Sequence, residues 1–330
     1  MVLFNSKLSL TSLPTPLEAL SVLSRQLGVE VWIKRDDLTS PAGGGNKVRK
    51  LEFLLADALA HQATAVITLG AVQSNHCRQT ALLAAKLGCE AHLVLIGEEP
   101  SARQGNLLLD SLSGATLHFG AGTLEQGRAN AQQLMATMLE HGKIPYLIPY
   151  GGSDMIGVQG YAAAWAELQA QVQARSIVFD CIVHAASSGG TQAGLLVGQQ
   201  VYGGAGQVIG ISVGPPATTL ARDIAALAGQ TAQAIGLDSF SLSSAPIILD
   251  QYIGPGYALL DEATHAAIRR LAQTEAILLD PVYTGKAFTG FLRLASEGRL
   301  GKRALFWHTG GAPALYCYAD QLTSSQPAAA

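Results

Sequence analysis

"GGGNKVRKLEF", residues 43–53, is the stretch on which the fold turns. Three glycines run into an asparagine and a lysine, and an apolar repeat begins at Val48. Glycines ahead of a lysine usually suggest a phosphate cradle. The P-loop, however, needs four residues between its glycines and then Gly-Lys-Ser/Thr. Here Lys47 follows Asn46 and precedes Val48. Val48, Leu51, Leu54 or Leu55, and Ala58 or Leu59 then recur at helical spacing. Lys47 therefore opens a helix after the strand "VEVWIKR" (29–35). In α/β sheets, ligands gather at such strand-to-helix turns.

The same alternation runs outward in both directions. The pattern predicts strands at 64–70, 91–97, 115–120, 144–152, 179–185, 207–213, 245–250 and 303–311. It predicts helices at 75–88, 104–112, 123–141, 155–173, 192–200, 217–235 and 262–274. "TPLEAL" (15–20) predicts one more, with Thr15 as cap, Pro16 in the first turn and Glu18 closing a capping box. Strands alternating with helices mean an α/β fold with parallel sheets covered on both faces. There are more strands than one sheet of average size holds, so two α/β layers are expected. Neither a linker-like segment nor an internal repeat interrupts the pattern, and the alanine-rich tail at 324–330 is expected to fray.

Composition excludes several classes. Of 330 residues, 48% are hydrophobic and only 14% charged, with a net charge of -3. That gives a sizeable core and no basic surface for nucleic acid. No apolar run reaches membrane-spanning length, and residues 1–12 lack a secretory h-region, so a cytoplasmic protein is expected. Cys77, Cys89, Cys181 and Cys317 form no CxxC pair and fit no zinc template, which reads as reduced thiols. The 8 histidines show neither HxxxH nor HExxH, so no metal is expected.

Several strand ends carry small polar loops. In "AASSGGTQAG" (185–194), Ser187, Ser188, Gly189, Gly190 and Thr191 lie between strand and helix. Backbone N–H groups there suit a phosphate, although an ordinary capped turn looks the same. In "GAVQSN" (70–75), Gln73, Ser74 and Asn75 precede a helix whose first turn suits a carboxylate. Ser74 or Asn75 could equally be its N-cap, with His76 and Arg78 on the surface of the first turn. Tyr283 in "LDPVYTGKAF" and Tyr257 in "GPGYA" could stack on a planar cofactor or serve as acids; half-buried structural tyrosines are commoner. Lys286 reads as a surface or helix-start residue, and Thr309 in "HTGGAPALY" as either a ring-nitrogen partner or a cap. A desolvated Lys47, or one near other cations such as Arg49 and Lys50, has a lowered pKa and attacks aldehydes. Lysine, phosphate cup, ring-stacking residue and ring-nitrogen partner together match what pyridoxal phosphate requires.

With those pieces assembled, "IKRDD", "GGNKVRKLEF", "QSNHCRQT", "LDPVYTGK" and "HTGGAPAL" carry a resemblance over nearly the whole chain. The sequence resembles the pyridoxal-phosphate enzymes of the tryptophan-synthase-β fold (fold type II), within them the D-cysteine desulfhydrase and 1-aminocyclopropane-1-carboxylate (ACC) deaminase family. The resemblance implies a large cofactor-binding domain of residues 1–48 and 160–330, a small α/β domain of 49–159, and pyridoxal 5'-phosphate between them. It implies a homodimer and a small amino-acid substrate. Lys47 would carry the cofactor covalently and move the α-proton; Gln73, Ser74 and Asn75 would meet the substrate, and Asn75 also the ring oxygen. Ser188, Gly189, Gly190 and Thr191 would hold the phosphate. Tyr283 would stack on the ring, Tyr257 would be the second active-site tyrosine, and Thr309 would face the ring nitrogen. The implied reaction is α,β-elimination from D-cysteine to pyruvate, sulfide and ammonia. ACC deaminases place glutamate after the stacking tyrosine and leucine at the Thr309 position; Thr284 and Thr309 here look like the desulfhydrase branch. L-cysteate sulfo-lyase is similar at the same places. The segment 96–105 is shorter than in desulfhydrases, and "GYA" at 256–258 stands for "GYG". Alternatives from other classes are a nucleotide-binding α/β protein, which lacks its GxGxxG, and a non-catalytic pyridoxal-binding homologue.

Overall fold

Aliphatic and β-branched runs become strands shielded on both faces, as parallel sheets require. The computed structural model describes residues 4–237, 240–242 and 244–323, so the tail at 324–330 lies outside the described residues. Ten strands form: β1 (Leu17–Ala19), β2 (Glu30–Arg35), β3 (Ala65–Ala71), β4 (Glu90–Ile96), β5 (Thr116–Ala121), β6 (Pro145–Leu147), β7 (Cys181–Ala186), β8 (Gln207–Ser212), β9 (Ile247–Leu249) and β10 (Arg303–His308). They divide into two sheets. A six-stranded sheet runs β1-β2-β10-β7-β8-β9 and a four-stranded sheet runs β5-β4-β3-β6. Every pairing is parallel except β1 with β2. Every residue of β7 is buried, which is why "CIVHAA" shows no period-2 alternation.

The segment 15–20 is not a helix. Leu17 pairs with Lys34 and Ala19 with Trp32, and the first helix is Ser21–Leu27. The Thr15 hydroxyl, expected as a cap, instead donates to Asp36 Oδ1 at 2.9 Å, and Glu18 meets Arg35 at 3.0 Å. Tertiary partners outbid a local capping box. The Thr284–Ser296 helix was not expected, because its glycines resemble turn signals. Gly290 is small for packing: a Cβ there would lie 2.8 Å from Ile211 Cδ1 on β8. The helix expected at 155–173 begins only at Gln159, because Asp154 Oδ1 accepts from the Ile156 and Gly157 amides and holds a turn.

A buried ion network ties the start of the helix Lys47–Ala60 to the six-stranded sheet. Asp36, just after β2, accepts from Arg49 Nε (2.9 Å) and Nη2 (2.8 Å), Tyr161 OH (2.6 Å) and Trp307 Nε1 (2.8 Å). Arg49 also reaches Glu167, which pairs with the fully buried Lys34 at 2.5 Å. Burial alone would raise the Asp36 carboxyl, but the charge and hydrogen bonds of Arg49 hold it down at about 2. Arg49 therefore faces the sheet and leaves Lys47, two residues earlier, to face the space between the sheets.

The glycine run serves close approach. Gly44 has φ +66°, and a Cβ on it would sit 1.9 Å from Asp37 O, so only glycine fits. Its carbonyl takes hydrogen bonds from Arg78 Nη2 (3.1 Å) and Gln79 Nε2. The Asn46 amide donates to Thr309 O at 2.9 Å, locking the helix start to the loop after β10.

Candidate active site

The carboxyl ends of β3, β7 and β10 and the start of the Lys47–Ala60 helix surround one pocket. Lys47, Ser74, Asn75, Ser188, Gly189, Thr191, Tyr257, Tyr283 and Thr309 all line it. Gly190 and Gln73 do not. No Asp or Glu is among the lining residues.

Lys47 has no hydrogen-bond or ion-pair partner among the described residues. Burial pulls its ammonium down from the ordinary range to about 8. Of the two causes that sequence offers, desolvation and neighbouring cations, desolvation is the one at work. An unpartnered, readily neutralised amine is the group a cofactor aldehyde needs.

Opposite it, β7 ends and the helix Gly190–Tyr202 begins with Gly189 at φ +81°. No side chain caps this helix, so its first amides keep their donors for a ligand. The loop holds no cation of its own, and Lys50 supplies one. Its buried Nζ donates to Gly151 O (3.1 Å) and Ser153 Oγ (3.0 Å), and Ser153 Oγ lies 2.8 Å from Ser188 Oγ. A Cβ on Gly190 would fall 2.5 Å from Ser153 Oγ and 2.6 Å from Lys50 Nζ, so glycine there keeps the ammonium against the loop. Burial, then the charge of Lys47, pushes the Lys50 ammonium well down, a cost that a phosphate dianion offsets. Thr191 Oγ1 accepts from Asn46 Nδ2 at 3.1 Å, which ties the loop to the residue before Lys47. This donor set fits pyridoxal phosphate: amine, phosphate cup and carboxylate-free ring pocket all lie within one cavity.

The tyrosines lie on a further wall. Tyr257 and Tyr283 meet hydroxyl to hydroxyl at 2.5 Å with rings edge-on at 74°. Burial raises both phenols above their ordinary value, so they remain proton donors at neutral pH. Tyr257 stands at the lip, 38% exposed. Its loop is held by Lys286, which is buried rather than on the surface and donates to Ile253 O and, at 2.6 Å, to Gly256 O. Thr284 does not face the pocket. Its hydroxyl donates to Asp280 Oδ1 at 2.7 Å. Thr309 does not cap the short helix after it, where Gly311 holds the cap position.

Ser74 is the N-cap of the Asn75–Lys86 helix, its Oγ accepting from the Cys77 amide at 3.1 Å. Asn106 Nδ2 donates to Gln73 O (2.9 Å) and Asn75 Oδ1 (3.0 Å), so the Asn75 carbonyl oxygen is taken and its N–H groups remain for the pocket. Gln73 is turned outward because its amide caps the Gly105–Leu112 helix, accepting from Asn106 N at 2.9 Å. His76 and Arg78 are buried, not surface residues. His76 Nε2 lies 2.8 Å from Thr68 Oγ1, and burial keeps its ring neutral. His184, also in the lining, is pushed down to about 4 by burial. Sequence reasoning missed Asn46, Lys50, Tyr150, His76 and His184 as site residues. Asn46 and Lys50 were within reach, one before and three after Lys47 on the helix start.

Fold and site together define a pyridoxal-phosphate enzyme of the type II, tryptophan-synthase-β-like fold. The family described as "Pyridoxal-phosphate dependent enzyme" matches residues 8–310, and the chain belongs to it. It is 42% identical over 329 residues to a D-cysteine desulfhydrase of Serratia proteamaculans, covering 96% of this chain and 97% of that one. It is 40% identical over 317 residues to a Pyrococcus abyssi protein provisionally named 1-aminocyclopropane-1-carboxylate deaminase, covering 96% and 94%. A crystal structure of an ACC deaminase homologue superposes with a TM-score of 0.91 at 39% identity, covering 97% of this chain and 96% of that one.

Proposed function

We propose that the chain is a carbon–sulfur lyase that converts D-cysteine and water to pyruvate, hydrogen sulfide and ammonia. One observation carries the choice: the pocket is lined by an unpartnered lysine and two protonated phenols, with no carboxylate. When bound, pyridoxal phosphate conjugates the substrate amine to an electron-withdrawing ring and so acidifies Cα. Lys47 would hold the cofactor, and its neutral amine would take the Cα proton of the bound substrate. The Asn75 amide and the first-turn amides after Ser74 bind the substrate carboxylate. Thr309, in the pocket lining, would offer the ring nitrogen a neutral hydroxyl rather than a charge, which would favour prompt loss of a good leaving group over side reactions. Tyr257 or Tyr283 gives the departing sulfur its proton. Ser188, Gly189, Gly190 and Thr191, with Lys50, would hold the phosphate.

ACC deaminase is the second reading, because the Pyrococcus relative and the solved homologue carry that name. Thr284, bonded to Asp280, argues against it, since that position offers the pocket no acid. The test is a panel of D-cysteine, L-cysteine, β-chloro-D-alanine, L-cysteate and ACC on the loaded protein. Sulfide and pyruvate from D-cysteine support the proposal; 2-oxobutyrate from ACC or sulfite from L-cysteate, with D-cysteine inert, overturns it. A cytoplasmic homodimer completes the reading. Four free cysteines support a reducing compartment, and the exposed Leu108, Leu112 and Tyr316 offer an apolar face. Light scattering at twice the chain mass would agree, and the single chain mass would refute the dimer.

A further inference from the structure

One helix meets both the site proposed for the substrate carboxylate and the glycine run that carries Lys47. The Asn75–Lys86 helix starts at Ser74 and Asn75, which line the pocket. Arg78 and Gln79 follow one turn later, both fully buried and both outside the pocket lining. Their side chains converge on the carbonyl of Gly44, three residues before Lys47. Arg78 Nη2 donates to it at 3.1 Å and Gln79 Nε2 donates to it as well, while Arg78 Nη1 reaches Gly43 O at 3.5 Å. The glycines make room for these side chains. A Cβ on Gly43 would lie 2.7 Å from Arg78 Nη1, and one on Gly45 2.8 Å from Gln79 Nε2. Stability alone does not account for the arrangement. Asp110, on the helix Gly105–Leu112, is buried and its charge acts on Arg78. Yet neither Asp110 oxygen nor Arg78 Nε has a hydrogen-bond partner among the described residues. A buried guanidinium kept off a nearby carboxyl costs stability, and such local conflicts gather at functional sites.

We infer that Arg78 and Gln79 are positioning residues for Lys47, fastening the glycine run ahead of it to the helix whose first turn meets the substrate carboxylate. The inference rests on the role proposed above for Lys47 and adds what sets its reach. Neither residue lines the pocket, so neither is placed to touch substrate or cofactor. Through Gly44 they fix where the Lys47–Ala60 helix starts relative to Ser74 and Asn75, and so how far the amine stands from the atoms it acts on. They act by position rather than by charge: burial is the cause that lowers the Lys47 ammonium, and Arg78 adds nothing to it. A misplacement of about 1 Å costs a reaction step on the order of 100-fold.

The experiment uses two variants. Gln79→Met keeps the length of the side chain. It removes one donor from a carbonyl that keeps Arg78, along with an Oε1 that has no partner, so the fold should hold. Arg78→Lys keeps the charge but loses the fork that spans two carbonyls. The readings are the rate at which each apo chain captures saturating pyridoxal phosphate across pH, kcat and KM for D-cysteine, and the urea midpoint. In both variants capture and kcat should fall about tenfold or more. KM should stay within about twofold, and the pH at which capture levels off should not move. Where Arg78→Lys does not fold, Gln79→Met decides. Capture and kcat within about twofold of the native chain, with only the urea midpoint lowered, would show a structural role and overturn the inference. A shifted levelling-off pH overturns it too, since the residues would then act through charge. A native chain inert toward D-cysteine overturns the elimination reading alone, because the capture rate still decides the positioning.

Discussion

Capture of pyridoxal phosphate by the apo chain should follow the ionisation of Lys47. Only the neutral amine attacks the aldehyde. With the amine pulled down to about 8, about one molecule in ten is neutral at pH 7, against about one in three thousand at the ordinary 10.5. Burial therefore accelerates capture about 300-fold at pH 7. The sign follows from the cause: desolvation disfavours the ammonium, so the folded chain holds fewer protons here than the unfolded chain. The same site costs the apo fold stability below about pH 8, and the cost is relieved as pH rises from about 8 to 10.5. Stopped-flow absorbance of apo protein mixed with pyridoxal phosphate gives the rate at each pH. It should rise about tenfold per unit up to pH 7 and level off above about 8.5. A rate still rising tenfold per unit between pH 9 and 10 would mean that Lys47 is an ordinary solvated lysine, and the desolvation argument would fall.

Replacing Asp36 by Ala leaves buried Arg49 with Glu167 alone, strips Tyr161 and Trp307 of their acceptor, and should cost about 3–5 kcal/mol, read as the urea midpoint of the loaded protein. Lys50→Met removes a cation buried beside the phosphate loop. Losing charged hydrogen bonds of about 1.5–3 kcal/mol should weaken cofactor retention by about 10- to 150-fold in equilibrium dialysis, with the fold kept by circular dichroism. Asn106→Leu frees the Asn75 amide to rotate. KM for D-cysteine should rise about tenfold while the cofactor absorbance stays unchanged, whereas a purely structural residue would shift stability and leave KM alone.

Much of the architecture was legible because it rests on local pattern. Continuous aliphatic runs such as "TAVITLG" and "CIVHAA" mark doubly covered strands, and Gly88 after the Asn75–Lys86 helix marks a stop. The departures arise where distant partners decide. Thr15 and Glu18 would cap a helix, yet Asp36 and Arg35 claim them and the segment pairs as β1. His76, Arg78 and Lys286 look like surface residues by type; they are buried with backbone carbonyls or Thr68 as partners, although His76 Nδ1 and Arg78 Nε keep none. The pieces around Lys47 could be named from short motifs, since strand ends in α/β folds converge. Tyr150 could not be, because only the fold brings it beside the pocket, and Lys50, although close to Lys47 in sequence, shows its role only in meeting Gly151, 101 residues away.

The claim that everything else depends on is that Lys47 carries the cofactor. Borohydride reduction of the loaded protein, followed by peptide mass mapping, reads the attachment point directly. A pyridoxyl mass on Lys47, lost in Lys47→Ala together with sulfide release from D-cysteine, is the predicted result. A label on Lys50 or Lys286, or an unlabelled Lys47→Ala variant that still releases sulfide, would contradict the account.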